Sequence, residues 1–148
     1  MADVVDSATR SRMMSGIRGR DTKPEIVIRS MLHRLGFRFR LHVRDLPGTP
    51  DIVLPRHRAV IFVHGCFWHG HDCPLFKWPA TRPEFWQEKI GRNRANDKKA
   101  YDALLAHGWR VGTVWECALR GAGKDLEGVA RNLAEWLRSD DLTTEQRG

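Results

Sequence analysis

Ala59-Val60-Ile61-Phe62-Val63 is apolar at every position. A strand with one wet face alternates apolar and polar residues, so this run predicts a central strand covered on both faces by other elements. The flanks supply that cover. Thr22 reads as an N-cap, with Pro24 in the first turn and Glu25 completing a capping box, ahead of Ile28, Met31, Leu32 and Leu35 at helical spacing. Gly36 ends that helix. Phe37, Phe39 and Leu41 alternate with Arg38 and Arg40, the period of a half-buried strand, and Leu46-Pro47-Gly48-Thr49-Pro50 is a turn. Asp51 to Leu54 gives a short strand, and Pro55 to Arg58 turns the chain back into the apolar run. Beyond it, a long helix is predicted from Pro83 to Gly108, then a strand from Trp109 to Trp115 and a break at Gly121-Ala122-Gly123. Leu126, Val129, Leu133, Trp136 and Leu137 give a closing amphipathic helix. The order helix, three strands, helix, strand, helix is that of an α/β chain with a mixed sheet flanked by helices.

A chain of 148 residues, 41% hydrophobic, has material for one core. Residues 21–148 are therefore read as a single domain, preceded by a basic arm over 1–20 in which Arg10, Arg12, Arg18 and Arg20 lie among Ser and Gly, too polar to bury. The formal charge of +7 attracts polyanions, because each Lys or Arg set on a phosphate releases a condensed counterion, so nucleic acid is the default partner. A membrane surface competes for a basic chain, but there is no long apolar run and no amphipathic helix with a lysine-rich polar face. Met1-Ala2-Asp3-Val4-Val5-Asp6 is acidic and leads to no apolar stretch, which sets the expectation of a cytoplasmic protein with reduced thiols.

Between Gly65 and Arg82 the chain is crowded with Cys, His, Trp and Phe, far beyond what a connector needs. Cys66-x4-His71-x-Cys73 puts three potential metal ligands in one loop, and Cys117 lies just past the last predicted strand, where the sheet can bring it alongside. Three cysteines close no disulfide set, whereas three thiolates and one imidazole make a closed tetrahedral set suited to Zn²⁺. With four protein ligands no site stays open for water, so such a metal is structural. The competing reading is that Cys117 packs as a small hydrophobe and the other two cysteines are incidental.

Ala8-Thr9-Arg10-Ser11, Leu46-Pro47-Gly48-x-Pro50-Asp51, His64-Gly65-Cys66-Phe67-Trp68-His69, Pro79-Ala80-Thr81-Arg82 and Trp115-Glu116-Cys117-Ala118-Leu119-Arg120 together resemble the very short patch repair endonucleases, over nearly the whole chain. The resemblance implies a restriction-endonuclease-like fold and Mg²⁺-dependent hydrolysis of DNA 5′ to the T of a T:G mismatch, the lesion left by deamination of 5-methylcytosine. It also implies Zn²⁺ on Cys66, His71, Cys73 and Cys117 and contact with a mismatch-repair protein of the MutL kind; a monomer acting on nucleoid DNA is the default expectation, with oligomeric state left open by the sequence. Two rivals stand beside it: a non-catalytic zinc-stabilised DNA-binding module, and a restriction-type nuclease on the same core.

Asp51, at the start of a strand, suits a hard cation at a sheet edge, although a turn carboxylate is an equally ordinary reading. Nucleases of this fold usually carry a second acid and a lysine on the next strand, and Val63-His64-Gly65 has neither. By resemblance the second metal contact falls to the backbone carbonyl of Val63, where the family more typically has Thr. The same resemblance makes His69 the general base, its ordinary pKa near 6.5 allowing a neutral ring. His64 falls beside the scissile phosphate and Glu25 holds a metal-bound water, or simply completes the capping box. Phe67, Trp68 and Trp86 are candidates to wedge between base pairs, while Trp109, Trp115 and Trp136 are assigned to packing. Lys89, Arg92 and Arg94 read as phosphate contacts or as a solvated helix face.

Overall fold

A computed structural model describes residues 22–120 and 124–148. The basic arm predicted over 1–20 and the break at 121–123 lie outside the described residues. The apolar run forms β2 (Ala59–His64), buried from Ala59 through Val63. It pairs antiparallel with β1 (Ile52–Leu54) and parallel with β3 (Arg110–Trp115), which pairs parallel with β4 (Thr143–Gln146). The sheet is mixed, in the order β1-β2-β3-β4.

Because successive side chains on a strand point to opposite faces, β2 feeds two cores at once. Ala59, Ile61 and Val63 pack with Ile28, Met31 and Leu32 of α1 (Lys23–Arg34) and with Leu133, Trp136 and Leu137 of α3 (Leu126–Arg138). Val60 and Phe62 face the other way, onto Leu104 of α2 (Pro83–Ala106), with Tyr101, Leu105 and Trp109 around them. Each fully buried Ile or Leu contributes about 1.5–3 kcal/mol of transfer free energy, and this double cover is what the unbroken apolar run required. The described helices include none long and apolar enough to cross a membrane.

Three points of the sequence reading need correction. The strand expected over Phe37 to Leu41 is reduced to one bridge, Arg40 to Val53, closed by hydrogen bonds of 2.8 and 3.0 Å. The alternation sorts the faces as expected, with Phe37 buried and Phe39 and Leu41 against the core, but β1 has only three residues to pair with. His42, with φ +59°, then bends the chain out of the extended region. In the other direction β4 was missed, since Thr-Thr-Glu-Gln carries no apolar alternation and pairs as an exposed edge strand. Leu35 also leaves the predicted apolar stripe: it caps α1 and is exposed.

Candidate active site

The predicted residues gather at the carboxyl end of β2, in a cleft lined by Glu25, Asp51, Val63, His64, His69 and Asp97 among others. Asp51, just ahead of β1, accepts a hydrogen bond from the Val63 N–H at 2.6 Å. The N–H and C=O of a strand residue point to the same edge, so the Val63 carbonyl also faces Asp51, past the last β1–β2 pair at Ile52 and Ile61. Glu25 is turned inward from the first turn of α1, 2% exposed. Its carboxylate takes the Thr22 hydroxyl at 3.2 Å and Arg29 at 3.2 Å, so it serves the N-cap and the cleft together. Burial first, and then the negative charge of Glu25, push the Asp51 carboxyl up to about 8. A buried and a half-buried carboxylate that interact in one cleft are the donor chemistry of a hard divalent cation, whose charge removes the repulsion.

Across the cleft His64 and His69 stack, ring centroids 3.9 Å apart at 27°. The Nδ1 of His69 is hydrogen-bonded to Asp97 Oδ2 from the middle of α2. A carboxylate only accepts, so this contact puts a proton on Nδ1 and leaves Nε2 as the acceptor nitrogen of a neutral ring. Burial, and then the neighbouring His69, lower the His64 pKa to about 3, so its ring is neutral. Asp97 went unrecognised in the sequence, hidden in the polar run Asn96-Asp97-Lys98-Lys99. The usable signal was its phase: Ile90, Asn93, Asp97, Ala100 and Leu104 form one stripe of α2, so Asp97 sits on the inward face. Asn93 on the same stripe donates to the Trp68 carbonyl at 2.9 Å and anchors the loop.

Behind the cleft, the ligand atoms of Cys66, His71, Cys73 and Cys117 lie within 4.8 Å of one another. Cys117 Sγ is 3.5 Å from His71 Nδ1, and the His71 ring lies flat on Trp115 at 3.9 Å and 6°. Burial first, and then the adjacent thiols, raise the Cys66 thiol, while burial lowers His71 and keeps its ring neutral. Three crowded thiols and a neutral imidazole fit a soft-ligand cation, which alone would hold the thiolates in such a pocket. The loop that carries them is tied by His71 N–H to the Cys66 carbonyl at 2.9 Å and by Cys66 N–H to Glu116 at 3.2 Å.

The aromatic candidates also meet. Phe67 lies 5.2 Å from Trp68 and 5.3 Å from Trp86, and the two indoles are 5.8 Å apart. Trp109 and Trp136 pack in the two cores, and Trp115 backs the Cys and His cluster. Among the basic candidates Arg94 lines the cleft. Arg92 points to solvent beside Glu88, at 3.9 Å, and Lys89 does not line the cleft.

A sequence profile described as DNA mismatch endonuclease Vsr matches residues 2–75. The DNA mismatch endonuclease Vsr of Escherichia coli is 52% identical over 138 residues, 93% of this chain and 88% of that protein. The chain belongs to the Vsr family. Two further relatives are the type II nicking enzyme V.XorIIP of Xanthomonas oryzae, 49% identical over 91% of this chain and 98% of its own length, and V.NmeAIP of Neisseria meningitidis, 41% identical over 91% and 96%. Vsr membership makes the chain a DNA endonuclease, and its mixed sheet between helices is the restriction-endonuclease-like core expected of it.

Proposed function

We propose that the chain nicks duplex DNA 5′ to the T of a T:G mismatch in very short patch repair. The observation that carries this reading is the meeting, at one end of β2, of the Asp51 and Val63 pair, the stacked His64 and His69, and the Phe67, Trp68 and Trp86 cluster. Asp51 and the Val63 carbonyl would hold Mg²⁺, with the Glu25 carboxylate beside them, and the ion would supply Lewis-acid stabilisation of the charge that develops on the phosphate. His69 Nε2 takes the proton of the attacking water while Asp97 keeps Nδ1 protonated and the ring in register. His64, neutral, donates a hydrogen bond to a phosphate oxygen. Cys66, His71, Cys73 and Cys117 hold a structural Zn²⁺ that fixes the loop carrying Phe67, Trp68 and His69.

Wedging of Phe67, Trp68 and Trp86 unstacks a step at a cost of a few kcal/mol, and stacking returns about 1–3 kcal/mol per base, so the easier opening of T:G tips the balance. Arg94, in the cleft wall, and Lys89 and Arg92 outside it meet backbone phosphates. The reading takes the chain as a monomer working on nucleoid DNA in the cytoplasm, and the family resemblance adds contact with a MutL-type protein. The test is strand-resolved nicking of end-labelled duplexes, T:G beside fully paired, in Mg²⁺ or EDTA, with the parent chain and Asp51→Ala. A Mg²⁺-dependent nick 5′ to the mispaired T, lost in Asp51→Ala while binding persists, is the expected result. Equal cutting of paired DNA points to a restriction-type nuclease, and tight binding with no cutting overturns the catalytic reading.

A further inference from the structure

The ring cluster does not end at its three predicted members. Phe76 stacks on Phe67 at 5.8 Å and 28°, and Trp78 meets Phe76 edge-on at 4.9 Å. On the other flank Phe85 meets Trp86 edge-on at 5.1 Å, with the Arg82 guanidinium 4.5 Å over its ring. Of the six large apolar side chains exposed among the described residues, Leu75, Trp78 and Phe85 lie here, and Trp78 is 53% exposed. Core packing does not account for an indole left in water with one edge contact. A contiguous apolar patch beside the cleft marks a surface that is covered in use. Lys77 and Arg82 flank it in the chain, so the surface that covers it is anionic.

We propose that Trp78 is a further specificity-determining residue, whose ring stacks on duplex DNA outboard of the Phe67, Trp68 and Trp86 wedge when the base step there is opened. The inference rests on the wedge reading and extends it by one ring. A fully paired duplex buries its base faces and offers Trp78 only sugars and groove edges, whereas an unstacked step exposes a face. The contact therefore forms on the mismatched duplex and adds to discrimination. Phe76 holds the indole in place beforehand, which lowers the ordering entropy that stacking has to overcome.

The experiment measures equilibrium binding of the full chain to a T:G duplex and to its C:G counterpart without Mg²⁺, for the parent, Trp78→Ala, Trp78→Phe, Trp78→Leu and Trp68→Ala. The expected result is a loss of about tenfold on T:G for Trp78→Ala, little change on C:G, recovery with Phe, and no recovery with Leu. Melting temperature and zinc content hold level in all three Trp78 variants, because that ring touches neither core nor ligand. Unchanged T:G binding, equal losses on both duplexes, or recovery with Leu as complete as with Phe would each overturn the proposal. Trp68→Ala separates the layers: if it keeps full T:G preference the wedge reading itself fails, and if it loses that preference while Trp78→Ala does not, only Trp78 is excluded.

Discussion

Asp97, in the middle of α2, is hydrogen-bonded through Oδ2 to Nδ1 of His69, on a loop 28 residues earlier. The contact fixes which nitrogen of His69 carries the proton, and so which one is free to accept another. Asp97→Asn keeps the shape but can present its amide N–H to Nδ1, turning the proton toward the cleft on Nε2. Nicking at saturating DNA is expected to fall on the order of 10²-fold, with DNA affinity little changed. Because the two residues act as a unit, Asp97→Asn combined with His69→Ala should cost no more than His69→Ala alone, read by single-turnover rates.

Glu25, buried, and Asp51, half-buried, interact across the cleft, and the charge of Glu25 is part of what raises Asp51. Glu25→Gln removes that charge and keeps a group that Thr22 can reach. In EDTA its melting temperature is expected to match or exceed the parent's. The Mg²⁺ concentration for half-maximal nicking should rise about tenfold, because one formal negative charge leaves the cation's surroundings. A lower melting temperature in EDTA with unchanged Mg²⁺ dependence would assign Glu25 to capping alone.

Part of this site was legible from short-range spacing, while His64, His69 and the Val63 carbonyl were singled out only through the family resemblance. Thr22 and Glu25, Asp51 after its turn, and the Cys66 to Cys73 loop are all local patterns. Asp97 was not, because a carboxylate among Asn and Lys has the composition of a solvated face and only its phase with Ile90 and Leu104 turns it inward. The fold shows the same division. Alternation at Phe37, Phe39 and Leu41 predicted which side each residue faces, yet a ladder needs a partner strand, and β1 is too short to provide one. β4 forms from polar residues because the open edge of β3 offers backbone partners, a cause that lies outside its own four residues.

Zinc removal tests the second metal cluster. One zinc per chain is expected by elemental analysis, lost on Cys117→Ser or Cys73→Ser. Chelation is expected to lower the melting temperature sharply, since structural zinc in small sites stabilises by about 10–16 kcal/mol. Mg²⁺ added back alone should leave nicking abolished, because the loop bearing His69 has lost its anchor. Full nicking by zinc-free protein would sink the structural role.

Gly70 tests how tightly that loop must lie on α2. Its φ is +59°, and a Cβ placed there would come within 2.7 Å of Ile90 Cγ2 and 3.2 Å of the Arg94 stem. Ile90 is 2% exposed and cannot swing aside. Gly70→Ala therefore combines a left-handed backbone penalty with overpacking, and about 1–3 kcal/mol of stability should be lost in denaturant unfolding. The displacement falls between His69 and His71, one residue from each of the two centres. Nicking and zinc retention are accordingly expected to weaken together in Gly70→Ala, whereas Gly91→Ala, where an added Cβ meets nothing within 4 Å, serves as the helix-surface control and should leave stability level or slightly raised.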